Sequence, residues 1–157
     1  MNKKLKNTDQ VDFRTPPYLF KFINSIAKVD FDGACEANEN NLAEPLRLED
    51  KWPNGVVYSN PPFDIDSICS WVEKGYEHSR KHPNNISIIL IPNKITQVKF
   101  QNKCSDLIDK MIFLGGRVNF ISKFSVKGGS SRNGSIILIQ SPKFKGFEFI
   151  RLRDLKK

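Results

Sequence analysis

Val56-Val57-Tyr58-Ser59-Asn60-Pro61-Pro62-Phe63 is the stretch on which the fold turns. Val56 to Tyr58 reads as a short strand, since β-branched and aromatic side chains suit a pleated surface. The prolines end it, because proline has no N–H to give to a sheet ladder. Just downstream, Ile65, Ile68, Cys69, Val72 and Tyr76 recur at helical spacing and give a helix one apolar face. Ile86 to Ile91 is then a nearly unbroken apolar run closed by Pro92, as expected of a strand covered on both faces in a parallel sheet. Strand, helix, strand in this order predicts an α/β sheet.

Working outward, Thr15-Pro16-Pro17 reads as a helix start, with threonine as cap and proline in the first turn. Leu19, Phe20, Ile23, Ile26 and Ala27 supply that helix's apolar face, and Val29 to Asp32 is a short strand ending at Gly33. Residues 34–54 are polar and lack clear periodicity. A helix is expected from about Thr96 to Asp109. Met111–Leu114, Val118–Ile121, Ser135–Gln140 and Phe147–Leu152 then read as strands joined by glycine-rich turns, a hairpin-rich C-terminal edge. Residues 1–11 are expected to be a flexible arm and 12–157 a single domain.

The bulk numbers exclude several classes. A chain of 157 residues with 39% hydrophobic and 27% charged residues has globular composition. No apolar run approaches the roughly 18 residues of a membrane span. The lysine-rich start does not resemble a secretory signal, so the cytoplasm is the expected location. Cys35, Cys69 and Cys104 are odd in number and widely spaced, which argues against a disulfide framework and a zinc site alike. No metal is expected. His78 and His82 sit beside Arg80 and Lys81 and read as surface residues. The net charge of +8 favours a polyanionic partner.

Asn60-Pro61-Pro62-Phe63 carries the most chemistry. An aromatic amine is a poor nucleophile because its lone pair is delocalised into the ring. Two acceptors gripping its hydrogens push the nitrogen toward tetrahedral geometry, and the Asn60 side-chain oxygen and the Pro61 carbonyl can provide them. Pro61 and Pro62 stiffen the loop, and Phe63 can stack on a flat base. Asn-Pro-Pro also occurs as an ordinary turn, but its position after a strand is where open α/β sheets bind ligands. Asp30-Phe31-Asp32-Gly33-Ala34-Cys35-Glu36 is the second candidate: its carboxylates can meet ammonium or hydroxyl groups, although an ordinary tight turn is the better reading of these residues taken alone.

The sequence resembles the phage-type DNA N6-adenine methyltransferase family (phage Dam-like) over nearly its whole length. Matching in order are Asp12-Phe13-Arg14-Thr15-Pro16, Phe31-Asp32-Gly33-Ala34-Cys35, Asp50-Lys51-Trp52 and Asn60-Pro61-Pro62-Phe63; Gly116-Arg117-Val118-Asn119-Phe120 follows more loosely. The resemblance implies a reduced Rossmann-like S-adenosylmethionine-dependent methyltransferase sheet, S-adenosylmethionine as cofactor and the adenine amine of DNA as target. Thr15 and Pro16 would then sit against the cofactor, Asp30, Asp32, Gly33 and Ala34 would form its first loop, and Asp50 or Glu49 would stand for an acidic residue before Trp52. Phe13 replaces the family's tryptophan and Phe63 its commoner tyrosine. The short span between the two loops predicts sheet strands shortened or missing.

Lys94, Lys99, Arg117, Lys123, Lys127 and Arg132 are candidate phosphate contacts, each also readable as a solvated charge, and the loop Lys123–Asn133 is the candidate for sequence readout. Asn-Pro-Pro loops also serve enzymes that methylate guanine N2 in RNA or glutamine amides in protein. A non-catalytic DNA-binding module is the remaining alternative.

Overall fold

The structure, a computed structural model, describes residues 13–33, 43–122 and 134–157. The expected N-terminal arm and the basic loop Lys123–Asn133 lie outside the described residues.

The chain runs β1 (Phe13–Arg14), α1 (Pro17–Ile26), β2 (Phe31–Gly33), β3 (Glu44–Leu46), β4 (Val56–Ser59), α2 (Ile65–Lys81) and β5 (Ile86–Pro92). It continues through α3 (Val98–Cys104), a 3-10 turn (Ser105–Leu107), β6 (Lys110–Gly115), β7 (Ile121–Ser122), β8 (Ser135–Gln140), β9 (Gly146–Arg151) and α4 (Leu152–Leu155). Seven strands form one sheet in the order β3-β2-β4-β5-β8-β6-β9, and β1 pairs with β7 in a separate ribbon. β3, β2, β4 and β5 are mutually parallel. β8 enters antiparallel between β5 and β6, and β9 lies parallel to β6 at the edge. This mixed sheet between helices is the Rossmann-like α/β class expected. Between the two expected loops, the described residues hold two short strands, β3 of three residues and β4 of four.

Alternation along the central strands divides the core. Ile86, Ile88 and Leu90 of β5, with Ile137 and Ile139 of β8, face the layer that contains Leu19 and Ile23 of α1. Ile89, Ile91, Ile136 and Leu138 face Ile68, Cys69 and Val72 of α2 and Phe100 of α3. Each fully buried aliphatic side chain contributes about 1.5–3 kcal/mol, so both faces of β5 and β8 are strongly held. Cys69 and Cys104 are free thiols within the second layer. Burial, with the neighbouring Cys69, pushes the Cys104 thiol up to about 12, so it stays protonated and unreactive.

α2 starts where the sequence leaves the proline loop. Asp64 caps it, its Oδ1 accepting from Ser67 N at 2.8 Å. Burial works to raise the Asp64 pKa, but the hydrogen bonds from Ser67 and the charge of Lys94 leave it below the usual carboxylate value. Thr15, expected as the cap of α1, does not serve there: Pro16 occupies the cap position without a side-chain bond. The expected helix from Thr96 is shorter, and the expected strand at Val118–Ile121 is reduced to β7.

Candidate active site

β2 and β4 are adjacent and parallel, and Gly33 pairs in register with Ser59. Gly33 and Ser59 therefore stand side by side at the same end of the sheet, with strand axes about 4.8 Å apart. Asn60 and Phe63 are half-buried here, Pro61 is buried, and the Asn60 Oδ1 atom is shielded from solvent.

Beneath this edge lies a small buried polar group. Asp32 pairs with Tyr58 across the two strands. Thr15 Oγ1 and the Tyr58 hydroxyl share a hydrogen bond. Thr15, Tyr58 and Asp32 are all buried. Burial pushes the Tyr58 hydroxyl far above its ordinary pKa, the bond to Thr15 opposes this, and the Asp32 carboxylate adds to it. Tyr58 is thus a permanent neutral donor or acceptor. Nothing local marks it for this role, since within Val56–Tyr58 it reads simply as part of a short strand.

The β1–β7 ribbon joins the segment before α1 to the segment after β6. Phe13 pairs with Ser122 and Arg14 with Ile121. That pairing holds Thr15 and Pro16 close to the segment 116–122, whose Val118 and Phe120 are buried. Phe120 meets Phe63, ring centroids 5.6 Å apart at 58°. Segments that matched the resemblance at opposite ends of the chain, Thr15-Pro16 and Gly116 to Phe120, therefore meet at the Asn60 loop.

Several expected residues behave differently. Lys94 donates from Nζ to the Phe63 carbonyl, so its ammonium braces the proline loop instead of standing free for a phosphate. Lys99 pairs with Asp66 at the start of α2. Asp30 precedes β2, at the opposite end of the strand from the Asn60 loop. Its Oδ2 accepts from Val56 N at 2.9 Å, which ties the starts of β2 and β4 together and removes it from the proposed cofactor loop. Asp50 Oδ2 accepts from Arg47 N at 2.8 Å within its own turn, and its backbone carbonyl takes a bond from Lys74 at 3.0 Å, so one carboxylate oxygen is engaged in holding the turn. Arg117 is exposed. Ala34, Lys123, Lys127 and Arg132 lie outside the described residues.

The histidine reading needs a correction too. His78 is buried, its Nε2–H donating to the Gly55 carbonyl at 2.8 Å while its ring packs edge-on against Trp52 at 5.4 Å. Burial holds its pKa below the ordinary value, against the Gly55 bond and with help from Lys81 and Lys74. It is a packing residue far along α2 from the loop.

Among the described residues, no group of three or more His, Cys, Asp or Glu side chains is placed to hold a metal. No helix among them is long and apolar enough to cross a membrane. No curated protein matches the chain. The family model described as DNA N-6-adenine-methyltransferase (Dam) matches residues 2–155, nearly the full length over which the strand-end loops, the ribbon and the sheet are laid out. On that match the chain belongs to the DNA N-6-adenine-methyltransferase (Dam) family.

Proposed function

We propose that the protein transfers a methyl group from S-adenosylmethionine to the N6 amine of adenine in DNA, at the end of the sheet where β2 and β4 finish. The observation that carries this reading is the register of Gly33 with Ser59, which sets the Asp32–Gly33 end of β2 next to the start of the Asn60–Phe63 loop.

The residues present suit the cofactor. A buried carboxylate at a strand end, Asp32, with Thr15 and Pro16 beside it, matches the ammonium and hydroxyl donors of an amino-acid nucleoside. When bound, that group supplies an electrophilic methyl on a sulfonium. Asn60 Oδ1 and the Pro61 carbonyl accept the two amine hydrogens of the adenine and raise the nitrogen's nucleophilicity. Phe63, held by Phe120, offers its ring to the base, and Lys94 keeps the loop in position through the Phe63 carbonyl. No residue must remove a proton before attack, because the nitrogen becomes acidic as it is alkylated and can then release a proton to water. Catalysis here is mostly positioning.

An adenine in a duplex must leave the stack to reach this edge, at a cost of a few kcal/mol. Arg117, with Lys123, Lys127 and Arg132 of the basic loop, would offset it through phosphates, consistent with the net charge of +8.

The test is Asn60→Ala. Methyl transfer is expected to fall about 10²–10³-fold, as when one preorganised hydrogen-bonding group is lost from a reacting site. Cofactor binding by calorimetry and DNA binding by anisotropy should persist. A variant that methylates at the wild-type rate would remove Asn60 from the mechanism.

A further inference from the structure

We infer that the outer face of β6 and β9 is a stacking platform for single-stranded nucleic acid, separate from the pocket beside Asn60. Among the described residues β9 is an edge strand, paired with β6. On it Phe147 and Phe149 are 68% and 76% exposed, unusual for such large apolar side chains in an otherwise well-covered sheet. They are not loose: Phe149 lies 5.1 Å from Phe113 of β6, Phe147 lies 6.3 Å from Phe113, and the two are 5.8 Å from each other. The three rings line a groove of about 380 Å³.

Charge selects the occupant. Strand alternation sets Arg151 on the same face as Phe147 and Phe149, opposite Gly115, which has no side chain to cover it. Lys145 stands exposed where β9 begins. Cations thus flank the rings at both ends, and among the described residues neither is ion-paired. The nearby anions are already committed. Asp109 takes two bonds from Arg80, at 2.8 and 3.0 Å, and one from Ser141 N at 2.7 Å. Glu148 points to the other face, with Lys110 at 3.5 Å. Exposed rings bracketed by free cations match a strand that has both phosphates and unpaired base faces. A duplex hides those faces.

A second copy of the chain fits less well. Antiparallel pairing of two β9 edges about Glu148 would bring Phe147 and Phe149 together across the copies. It would also set Lys145 against Arg151 at both ends and Glu148 against its own copy, and like charges directly opposite destabilise a sheet.

The inference deepens the DNA reading above and rests on nucleic acid being the partner, but its test does not use the reaction. Full-length protein is titrated into a labelled oligothymidylate of about 12 nucleotides, within the span of known single-strand sites. It lacks adenine, so binding is scored without the target base. Phe147→Ala/Phe149→Ala is expected to weaken binding at least about tenfold. Phe147→Trp/Phe149→Trp should retain it, and Lys145→Gln/Arg151→Gln should flatten its salt dependence. No oligothymidylate binding by the wild type, or equal affinity for wild type and the double alanine variant, overturns the platform. So does light scattering that shows a wild-type dimer split by the alanine pair. Methylation of adenine DNA is assayed in parallel. Methylation without oligothymidylate binding sinks this inference alone, and the converse sinks only the proposed reaction.

Discussion

Lys94 shows how little a residue's identity says about its employment. In the sequence it is one cation among 25 lysines and arginines, and a phosphate is the natural partner to assign. In the structure its Nζ bonds the Phe63 carbonyl, and its charge helps hold the pKa of Asp64 down, so it fastens the proline loop at the point where α2 begins. Lys94→Met keeps the stem and removes the donor. Expected is a drop in kcat of about ten- to hundredfold from a loop no longer held in register, with little change in affinity for cofactor. Steady-state kinetics beside calorimetry measure this; unchanged kcat would reduce Lys94 to a surface charge. His78 departs from its local sequence for the same reason. Its basic neighbours suggest solvent, and only the fold reveals Gly55 and Trp52 around it. Its lowered pKa has a sign that can be checked. Below about pH 6.5 the unfolded chain binds a proton that the folded ring refuses, so stability is full above that value and falls as pH drops through the window down to the folded pKa. Urea midpoints from about pH 7.5 to about pH 5.5 should decline in the wild type and decline less in His78→Gln, which can still donate to Gly55. Asp64 does not confuse the window, because a lowered carboxylate acts only as pH falls through the carboxylate range.

At the scale of elements, periodicity was informative wherever one face is buried. The apolar set of α2 was legible because Ile68, Cys69 and Val72 all pack inward, and β5 because Ile86 to Ile91 are buried on both sides. β3 was not legible: Glu44 and Pro45 are exposed, and an edge strand of three residues carries no alternation to read. The β1–β7 ribbon escaped for another reason. β1 has only two residues and no local trace, and β7 keeps only the end of the strand expected at Val118–Ile121; their pairing, between segments far apart in the chain, draws the residues beside Thr15 toward those beside Phe120. Gly75 reports on the packing of α2. A Cβ there would overlap Ser87 Oγ on β5 and Gln140 Oε1 on β8, and Gln140 is already fixed by bonds to the Val72 and Leu107 carbonyls at 2.8 and 2.9 Å. Gly75→Ala is therefore expected to destabilise by about 1–3 kcal/mol despite alanine's better helix propensity. Urea unfolding should show a lower midpoint with an unchanged slope. A midpoint raised by the substitution would mean that the helix can lift off the sheet without strain.

For the whole molecule, the parallel pairing of β4 with β5 followed from strand, helix, strand order, because the α2 crossover returns the chain to the same end. The insertion of β8 between β5 and β6 did not, since pairing between strands distant in sequence is decided by the shared core of Ile136 to Ile139 and not by any local pattern. The residues proposed for the site stand out in the sequence as a proline loop, Asn60 to Phe63, and a strand-end acid, Asp32, while the Thr15–Tyr58 bond, the Phe63–Phe120 contact and the bond from Lys94 need three dimensions. The central claim is that this edge methylates the adenine amine of DNA. Its most direct test is to incubate the purified chain with S-adenosylmethionine and unmodified DNA, digest the DNA to nucleosides and separate them by mass. N6-methyldeoxyadenosine is expected from the wild type and not from Asn60→Ala; an unmodified digest, a methyl group on cytosine, or transfer only to RNA or protein would contradict it.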